Sequence, residues 1–306
     1  MLQRDISPLI DLDWANFRPW SVTAVTHRIS DHPLLQPDEL VKLSQRLEQE
    51  GRIRSHSSTA AAGTPFNEAP SLHPNRMSSK DTLERIREAG AWLSLLNVQS
   101  DPTYRGLVDE VLDSIRPVVE PKDPGMCYRA GWIFVSSPRT VTPFHFDKEH
   151  NFILQIHGRK TIYVWEPNDV IVADDRARDR FHARGSRDLV AWKEDFRSRA
   201  HRFDVGPGEG AYMPSTSPHL VEVGDEPSIT VSFTYYTNST RRDARLRTLR
   251  GRLSDYGVPL PSVGQRAWLD AMLCFGATAA KYGKNAVTRL SGKRPWNDAS
   301  AYAIPR

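Results

Sequence analysis

The stretch 141–160, VTPFHFDKEHNFILQIHGRK, decides how this chain is read. It is rich in the β-branched and aromatic residues that suit strands, and His145 and Asp147 stand two apart within it. Alternate residues of a strand point to the same face, so the imidazole and the carboxylate project into one space. A further histidine is on offer downstream. In 206–223, GPGEGAYMPSTSPHLVEV, a Gly/Pro turn and a short apolar run lead to His219 at the head of another strand-like segment. Two histidines and one carboxylate with open coordination positions form the facial triad that holds non-haem Fe(II). Structural zinc takes four closed ligands, often thiolates, and does not suit this set.

Around that stretch the pattern is of many short strands. CYRAGWIFVSS (127–137) leads into it, and NFILQI and KTIYVWEP flank His157-Gly158-Arg159, which reads as a tight hairpin. A charged connection (168–185) and a helix from about Arg187 to Arg199 come next. HRFDV, GAYMP, HLVEV and SITVSFTYY then follow as strands, ending near Thr237. Upstream, PWSVTAVTHRIS (19–30) alternates like a strand. Pro37 to Gln49 is helical, with Leu40, Leu43 and Leu47 at intervals of three and four. Residues 54–79 lack periodicity and read as a long loop, of the length usual for functional lids or disorder. Lys80 to Glu88 forms a short helix and AWLSLLNV (91–98) a buried strand. In DPTYRGLVDEVLDSI (101–115) Asp101 can cap a helix whose apolar stripe runs from Tyr104 to Ile115.

Short strands with Gly/Pro turns, preceded by helices, predict a mainly β chain with α decoration, built on a jelly-roll barrel. The expected organisation is an N-terminal helix/strand region over 1–124, a barrel over 125–240 and a helical appendage over 241–306. The appendage holds 13 Lys/Arg against 4 Asp/Glu, a net of +9 that leaves residues 1–240 at −5. Leu246, Leu249 and Leu253 line its first helix, and Gly264 to Leu290 reads as a second. Basic segments can meet nucleic acid, membrane surfaces or acidic partners, but arginines interleaved with leucines favour a solvated helical face, and a homodimer interface over nucleic-acid binding.

With 39% apolar and 25% charged residues the chain is of ordinary globular composition. No apolar run reaches the ~18–20 residues needed to span a bilayer. The N-terminus lacks a basic-then-apolar leader pattern, and Cys127 and Cys274 cannot make a disulfide framework. A reducing cytoplasm is therefore expected.

TPFHFDKEHNFILQIHGRK, VGPGEGAYMPSTSPHLVEV and SITVSFTYY together resemble the JmjC/cupin-like (cupin-8 type) Fe(II)- and 2-oxoglutarate-dependent oxygenases. Within this family the chain is similar to the bacterial cupin-like proteins and the hypoxia-factor asparaginyl hydroxylase. The specific part covers roughly 125–240. The resemblance implies a double-stranded β-helix in which His145, Asp147 and His219 hold iron, and in which Thr142, Asn151 and Lys160 bind 2-oxoglutarate. It also implies an activity: with O2, a C–H bond of a protein or peptide side chain, or of an amino-acid-like small molecule, is hydroxylated. The physical reading agrees for Lys160, since an ammonium reaching in along a strand can pair with the second carboxylate of a chelating oxo-acid. Where the asparaginyl hydroxylase carries asparagine and then tryptophan on the last strand, this chain has Ser232 and Thr234, so that relative's substrate does not carry over. The presence of Asp147 favours hydroxylation over halogenation.

Tyr128, Trp132, Tyr212, Ser215, Thr216, Ser217 and the 54–79 loop are the candidates for the pocket mouth; His150 and His157 are expected outside the metal's ligands. Two alternatives remain open. One is a non-catalytic metal-binding cupin acting as a ligand-responsive regulator; the other is an N-demethylase of the same chemistry.

Overall fold

The computed structural model of the protein describes residues 8–187 and 189–291. The extreme N-terminus read for a leader (1–7) and the end of the basic appendage (292–306) lie outside the described residues. The strands are β1 Ile10–Asp11, β2 Thr23–His27, β3 Ile53–Ser57, β4 Ala91–Leu95, β5 Cys127–Ser136 and β6 Val141–His145, then β7 His150–His157, β8 Lys160–Val164, β9 His201–Val205, β10 Glu209–Met213, β11 His219–Val223 and β12 Ser228–Tyr236. The helices are α1 Pro37–Gln49, α2 Ala69–Leu72, α3 Ser79–Glu84, α4 Pro102–Val119, α5 Asp175–Arg184, α6 Asn238–Asp255 and α7 Ala267–Leu290.

Two antiparallel sheets face each other as a jelly roll. The larger runs β1-β2-β10-β7-β12-β5-β4-β3, the smaller β6-β11-β8-β9. Strands from the first hundred residues thus extend the larger sheet at both edges. The alternation in β12 explains how that sheet is buried on both sides. Ile229, Val231, Phe233 and Tyr235 join Phe152 and Leu154 of β7 in one core with Leu40, Leu43 and Leu47 of α1 and the stripe of α4. Ser228, Thr230, Ser232 and Thr234 alternate with them and so face the barrel interior, where all four are buried. A polar stripe inside a barrel is a place for a polar ligand. α4 starts as its sequence dictates: the Asp101 carboxylate accepts the Thr103 and Tyr104 N–H groups, with Pro102 in the first turn.

Four expectations are corrected. His157-Gly158-Arg159 is not a hairpin: β7 pairs with β10 and β12, whereas β8 pairs with β11 and β9. The turn carries the chain from one sheet to the other. Gly158 has φ +71°, and a Cβ there would lie 2.2 Å from the Pro227 carbonyl oxygen, so only glycine fits. Second, the charged stretch 168–185 contains the helix α5, and the described residues of 187–199 are irregular apart from a short 3₁₀ turn over Glu194–Arg199. The charges of α5 are its packing surface. Arg247 of α6 pairs with Asp175 and Asp179, and Arg250 pairs with Asp179, so the segment that reads as a charged connection holds a helix packed by ion pairs as well as by Phe181. Third, Leu246 of α6 is buried but Leu249 and Leu253 are only partly so; Arg247, Arg250 and Gly251 share the buried face. Fourth, 54–79 is not one loop. Its start is β3, paired with β4, and it goes on through a 3₁₀ turn at Phe66–Glu68 into α2.

Among the described residues no helix is long and apolar enough to cross a membrane.

Candidate metal centre

His145 ends β6 and His219 opens β11, and the antiparallel register sets these two residues opposite each other. Asp147, two residues beyond His145, completes the group. One candidate donor atom from each lies within 4.8 Å of the others. The carboxylate Oδ2 is 3.6 Å from His145 Nε2 and 3.7 Å from His219 Nε2. Each imidazole is oriented through its other nitrogen: Nδ1 of His145 lies 2.7 Å from the Pro143 carbonyl, and Nδ1 of His219 3.1 Å from that of Ser217. Nδ1–H donating to a carbonyl leaves Nε2 with a free lone pair aimed at Asp147, the state a metal ligand needs.

The electrostatics favour a cation. Burial, with His219 beside it, holds the His145 pKa well below the usual range, and burial lowers that of His219. Both rings are therefore neutral near pH 7. Burial pushes Asp147 upward, but His145, Arg187 and His219 outweigh it and hold the carboxyl at about 2. Arg187 donates from Nη2 to Asp147 Oδ1 at 2.7 Å and from Nε to the Phe146 carbonyl at 3.0 Å. One carboxylate oxygen is thus occupied by arginine, and the other faces the histidines.

The backbone around Asp147 is held from the β10–β11 connection. Thr216 N–H donates to the Asp147 carbonyl at 2.7 Å, and Ser215 Oγ to that of Lys148 at 2.7 Å. Thr216 takes φ +61°, a left-handed conformation uncommon outside glycine, asparagine and aspartate, and found at sites the surroundings over-determine. Ser215 N–H in turn donates to Nδ1 of His150, whose Nε2 lies 3.3 Å from Asp123. His150 is a fully buried support to the site and His157 is exposed.

The triad opens on a cavity of about 280 Å³ between the sheets, lined among others by Thr142, Asn151, Trp92, Ser94, Trp132, Phe134, Ser232 and Thr234. Three of its polar atoms, Asn151 Oδ1, Ser94 Oγ and Ser232 Oγ, are buried without a hydrogen-bond partner among the described residues. Lys160 is not in the wall. Its ammonium lies 3.5 Å from Ser136 Oγ, and Ser136 is the next residue after Phe134 on the inner face of β5. Lys160 is 4% exposed and has no carboxylate within 4.0 Å among the described residues. Burial alone lowers its pKa to about 7.

Of the residues expected at the mouth, only Trp132 and the 54–79 segment line the cavity. Tyr212 belongs to the outer core, Ser215 and Thr216 grip the 147–148 backbone, Ser217 orients His219, and Tyr128 packs edge-on against Tyr236. Within the 54–79 segment sequence reasoning did not single out Arg54 or Phe66, whose ring stacks on the His145 imidazole with centroids 3.6 Å apart and planes 6° apart. It missed Arg187 altogether. No local pattern marks these three, because they reach the site from segments remote in sequence.

A sequence profile described as Cupin-like domain matches residues 12–241. No functionally curated protein matches the chain. Among solved structures, the X-ray structure of E. coli YcfD is similar at 16% identity with a TM-score of 0.47, covering 84% of this chain and 63% of that one. A second, described as YcfD, a ribosomal oxygenase from Escherichia coli, in complex with cobalt and 2-oxoglutarate, gives 17% identity and a TM-score of 0.47, with 84% and 62% covered. The chain therefore spans less than two thirds of the length of these structures.

Proposed function

The chain belongs to the cupin-like domain family, and from that premise and the cavity just described we propose that it is an Fe(II)- and 2-oxoglutarate-dependent oxygenase that hydroxylates a C–H bond. The observation that carries the reading is one cavity combining two kinds of vacancy in bonding. In its wall stand three neutral or anionic donors with open positions; behind the wall, against Ser136, stands a buried ammonium with no carboxylate among the described residues at ion-pair distance. A 2-oxo-dicarboxylate matches both, its oxo-acid end at a metal and its second carboxylate at Lys160. The Ser94, Asn151 and Ser232 atoms of the cavity wall, without a partner among the described residues, are the kind that a polar ligand satisfies.

His145, Asp147 and His219 would hold the metal, and Thr142 and Asn151 would position the co-substrate beside Lys160. Bound iron and 2-oxoglutarate supply, with O2, the oxidising power to insert oxygen into a substrate C–H bond, releasing succinate and CO2. The chain contributes orientation and dryness. Arg187 keeps Asp147 ionised and turned, and Phe66 covers the His145 ring. Trp132, Phe134 and Trp92 exclude water from the far wall. Protein or peptide side chains and amino-acid-like molecules are the proposed substrates, and demethylation would follow if the oxidised carbon were an N-methyl group.

The test is an anaerobic titration of the metal-free protein with Fe(II) and then 2-oxoglutarate. A weak visible charge-transfer band that needs both, and is lost in His219→Ala, supports the reading. Iron binding without the band removes it in favour of a ligand-responsive cupin. We further propose that 125–240 acts as the catalytic barrel, with 1–124 extending its larger sheet and completing the cavity wall, and that 241–306 mediates homodimerisation. Supporting this, Trp268, Met272, Phe275 and Tyr282 of α7 are spaced by three, four and seven residues and are 55–76% exposed. Light scattering of the wild type and of Phe275→Glu tests it: a monomeric wild type ends the proposal.

A further inference from the structure

The cavity holds a cation that the proposed chemistry does not use. Arg54 of β3 reaches the wall from the edge of the larger sheet. Its guanidinium lies over the Phe66 ring, 4.0 Å from the centroid, and donates from Nη2 to the Phe66 carbonyl. Phe66 in turn lies flat on His145, so Arg54 stands one aromatic ring away from the metal-facing imidazole. Its Nε is buried without an acceptor, and no carboxylate among the described residues is within ion-pair distance of it.

The neighbouring charges do not neutralise it. Arg187, 5.2 Å from the same ring, is committed to Asp147 and to Asn67. Lys148 also lines the cavity, with its ammonium 4.9 Å from the Phe181 ring centroid. Burial and then Arg187 draw the Arg54 pKa down to about 10, so the charge is held against both desolvation and a like neighbour. A half-buried arginine that lines the cavity, with no carboxylate among the described residues at ion-pair distance, is suited to binding an anion there.

We propose that Arg54 binds a carboxylate of the substrate, with Lys148 as the second cation, so that the molecule to be oxidised is an acid bearing its carboxylate a few bonds from the reacting carbon. The apolar part then packs against Trp132 and Phe66. The acid can be a free small molecule or an acidic peptide side chain; the recognising chemistry is the same. This rests on the oxygenase reading only in calling the bound acid a substrate, since the binding itself can be measured without turnover.

The experiment is anaerobic calorimetry on the full chain, loaded with Fe(II) and saturating 2-oxoglutarate so that Lys160 is occupied. One arm compares 3-phenylpropionate with 3-phenylpropanamide, the other a blocked pentapeptide with central aspartate against its asparagine counterpart. In the wild type the acid of at least one arm should bind about tenfold or more tightly than its amide, the scale of a charge-assisted contact. Arg54→Met should abolish the preference, Arg54→Lys should keep part of it, and Lys160→Met, titrated without 2-oxoglutarate, should keep it whole. Arg54→Gln, which can still donate to the Phe66 carbonyl, guards against a folding defect in the methionine variant. Preference in the small-acid arm alone identifies a free acid, and in the peptide arm alone an acidic side chain. No preference in either arm, or one that survives both Arg54→Met and Arg54→Gln, overturns the proposal. If the iron/2-oxoglutarate band is absent while the preference in Lys160→Met depends on Arg54, the oxygenase reading falls and the acid site stands.

Discussion

Lys160→Met removes an ammonium that is 4% exposed and whose hydrogen-bond partner is a single serine hydroxyl at 3.5 Å. Burial takes its pKa from 10.5 to about 7. At 1.36 kcal/mol per tenfold, keeping this lysine charged costs the ligand-free fold on the order of 5 kcal/mol below pH 7. The sign follows from the two states. The unfolded chain keeps its proton up to pH ~10.4, whereas the folded chain releases it near 7, so the cost shrinks as pH rises through that interval. At pH 9 about 2 kcal/mol remains. Methionine is of similar length and carries no charge, and the ligand-free variant should therefore unfold several degrees higher than the wild type at pH 6, with the gain fading by pH 9. Binding should move the other way. Loss of the charge-assisted contact, about 1.5–3 kcal/mol, should weaken 2-oxoglutarate by roughly 10- to 150-fold. In the wild type, affinity should fall about tenfold between pH 6 and 8 with uptake of a proton, because the carboxylate needs the charged lysine; the variant should show neither effect. Thermal unfolding at pH 6 and 9 and anaerobic calorimetry with Fe(II) read all of this. A variant no more stable than wild type at pH 6, with unchanged 2-oxoglutarate affinity, would refute the assignment of Lys160 as a cation held for a ligand.

Three other outcomes are expected. Asp147→Ala should lose Fe(II) binding and turnover while circular dichroism stays native, and an iron affinity equal to wild type would sink the triad. Arg187→Met, which frees Asp147 Oδ1, should weaken Fe(II) by about 10- to 100-fold, as loss of a ligand's outer partner generally does; calorimetry with unchanged affinity would argue against that role. Gly251→Ala should destabilise the chain by about 1–3 kcal/mol, because its Cβ would fall 2.4 Å from the Asp179 carbonyl oxygen and 2.8 Å from Ala183 Cβ. Denaturant unfolding without any loss would mean that α5 and α6 do not pack as described.

Much of the architecture was legible because it rests on local periodicity. The helix over 37–49, the capped helix starting after Asp101 and the strands from 127 to 236 follow from patterns of apolar residues within a few positions of one another. Elements whose state is set by distant partners were misread. α5 has no apolar stripe strong enough to announce itself, since Ala177 and Phe181 are its only buried apolar residues and Asp179, buried beside them, acquires meaning only opposite Arg247 and Arg250. The turn at His157–Arg159 has hairpin chemistry, yet its two strands belong to different sheets, because strand pairing depends on what lies alongside and not on the turn alone.

The amino-acid sequence by itself determined most of the barrel strands and singled out His145 and Asp147, although β6 ends at His145 and contacts from Thr216 and Arg187, not a strand period, hold Asp147 beside it. It also singled out His219, Thr142, Asn151 and Lys160. Tertiary structure alone decided how the 54–79 segment folds back to lay Phe66 on His145, and why Arg187 meets Asp147 from forty residues away. It also decided that Lys160 has no counter-charge among the described residues and that Arg54 faces the cavity. These are relations of burial and charge between segments far apart in the chain, and no short-range pattern encodes them: a lysine in a strand is the same letter whether it ends in water or against a single serine inside a barrel.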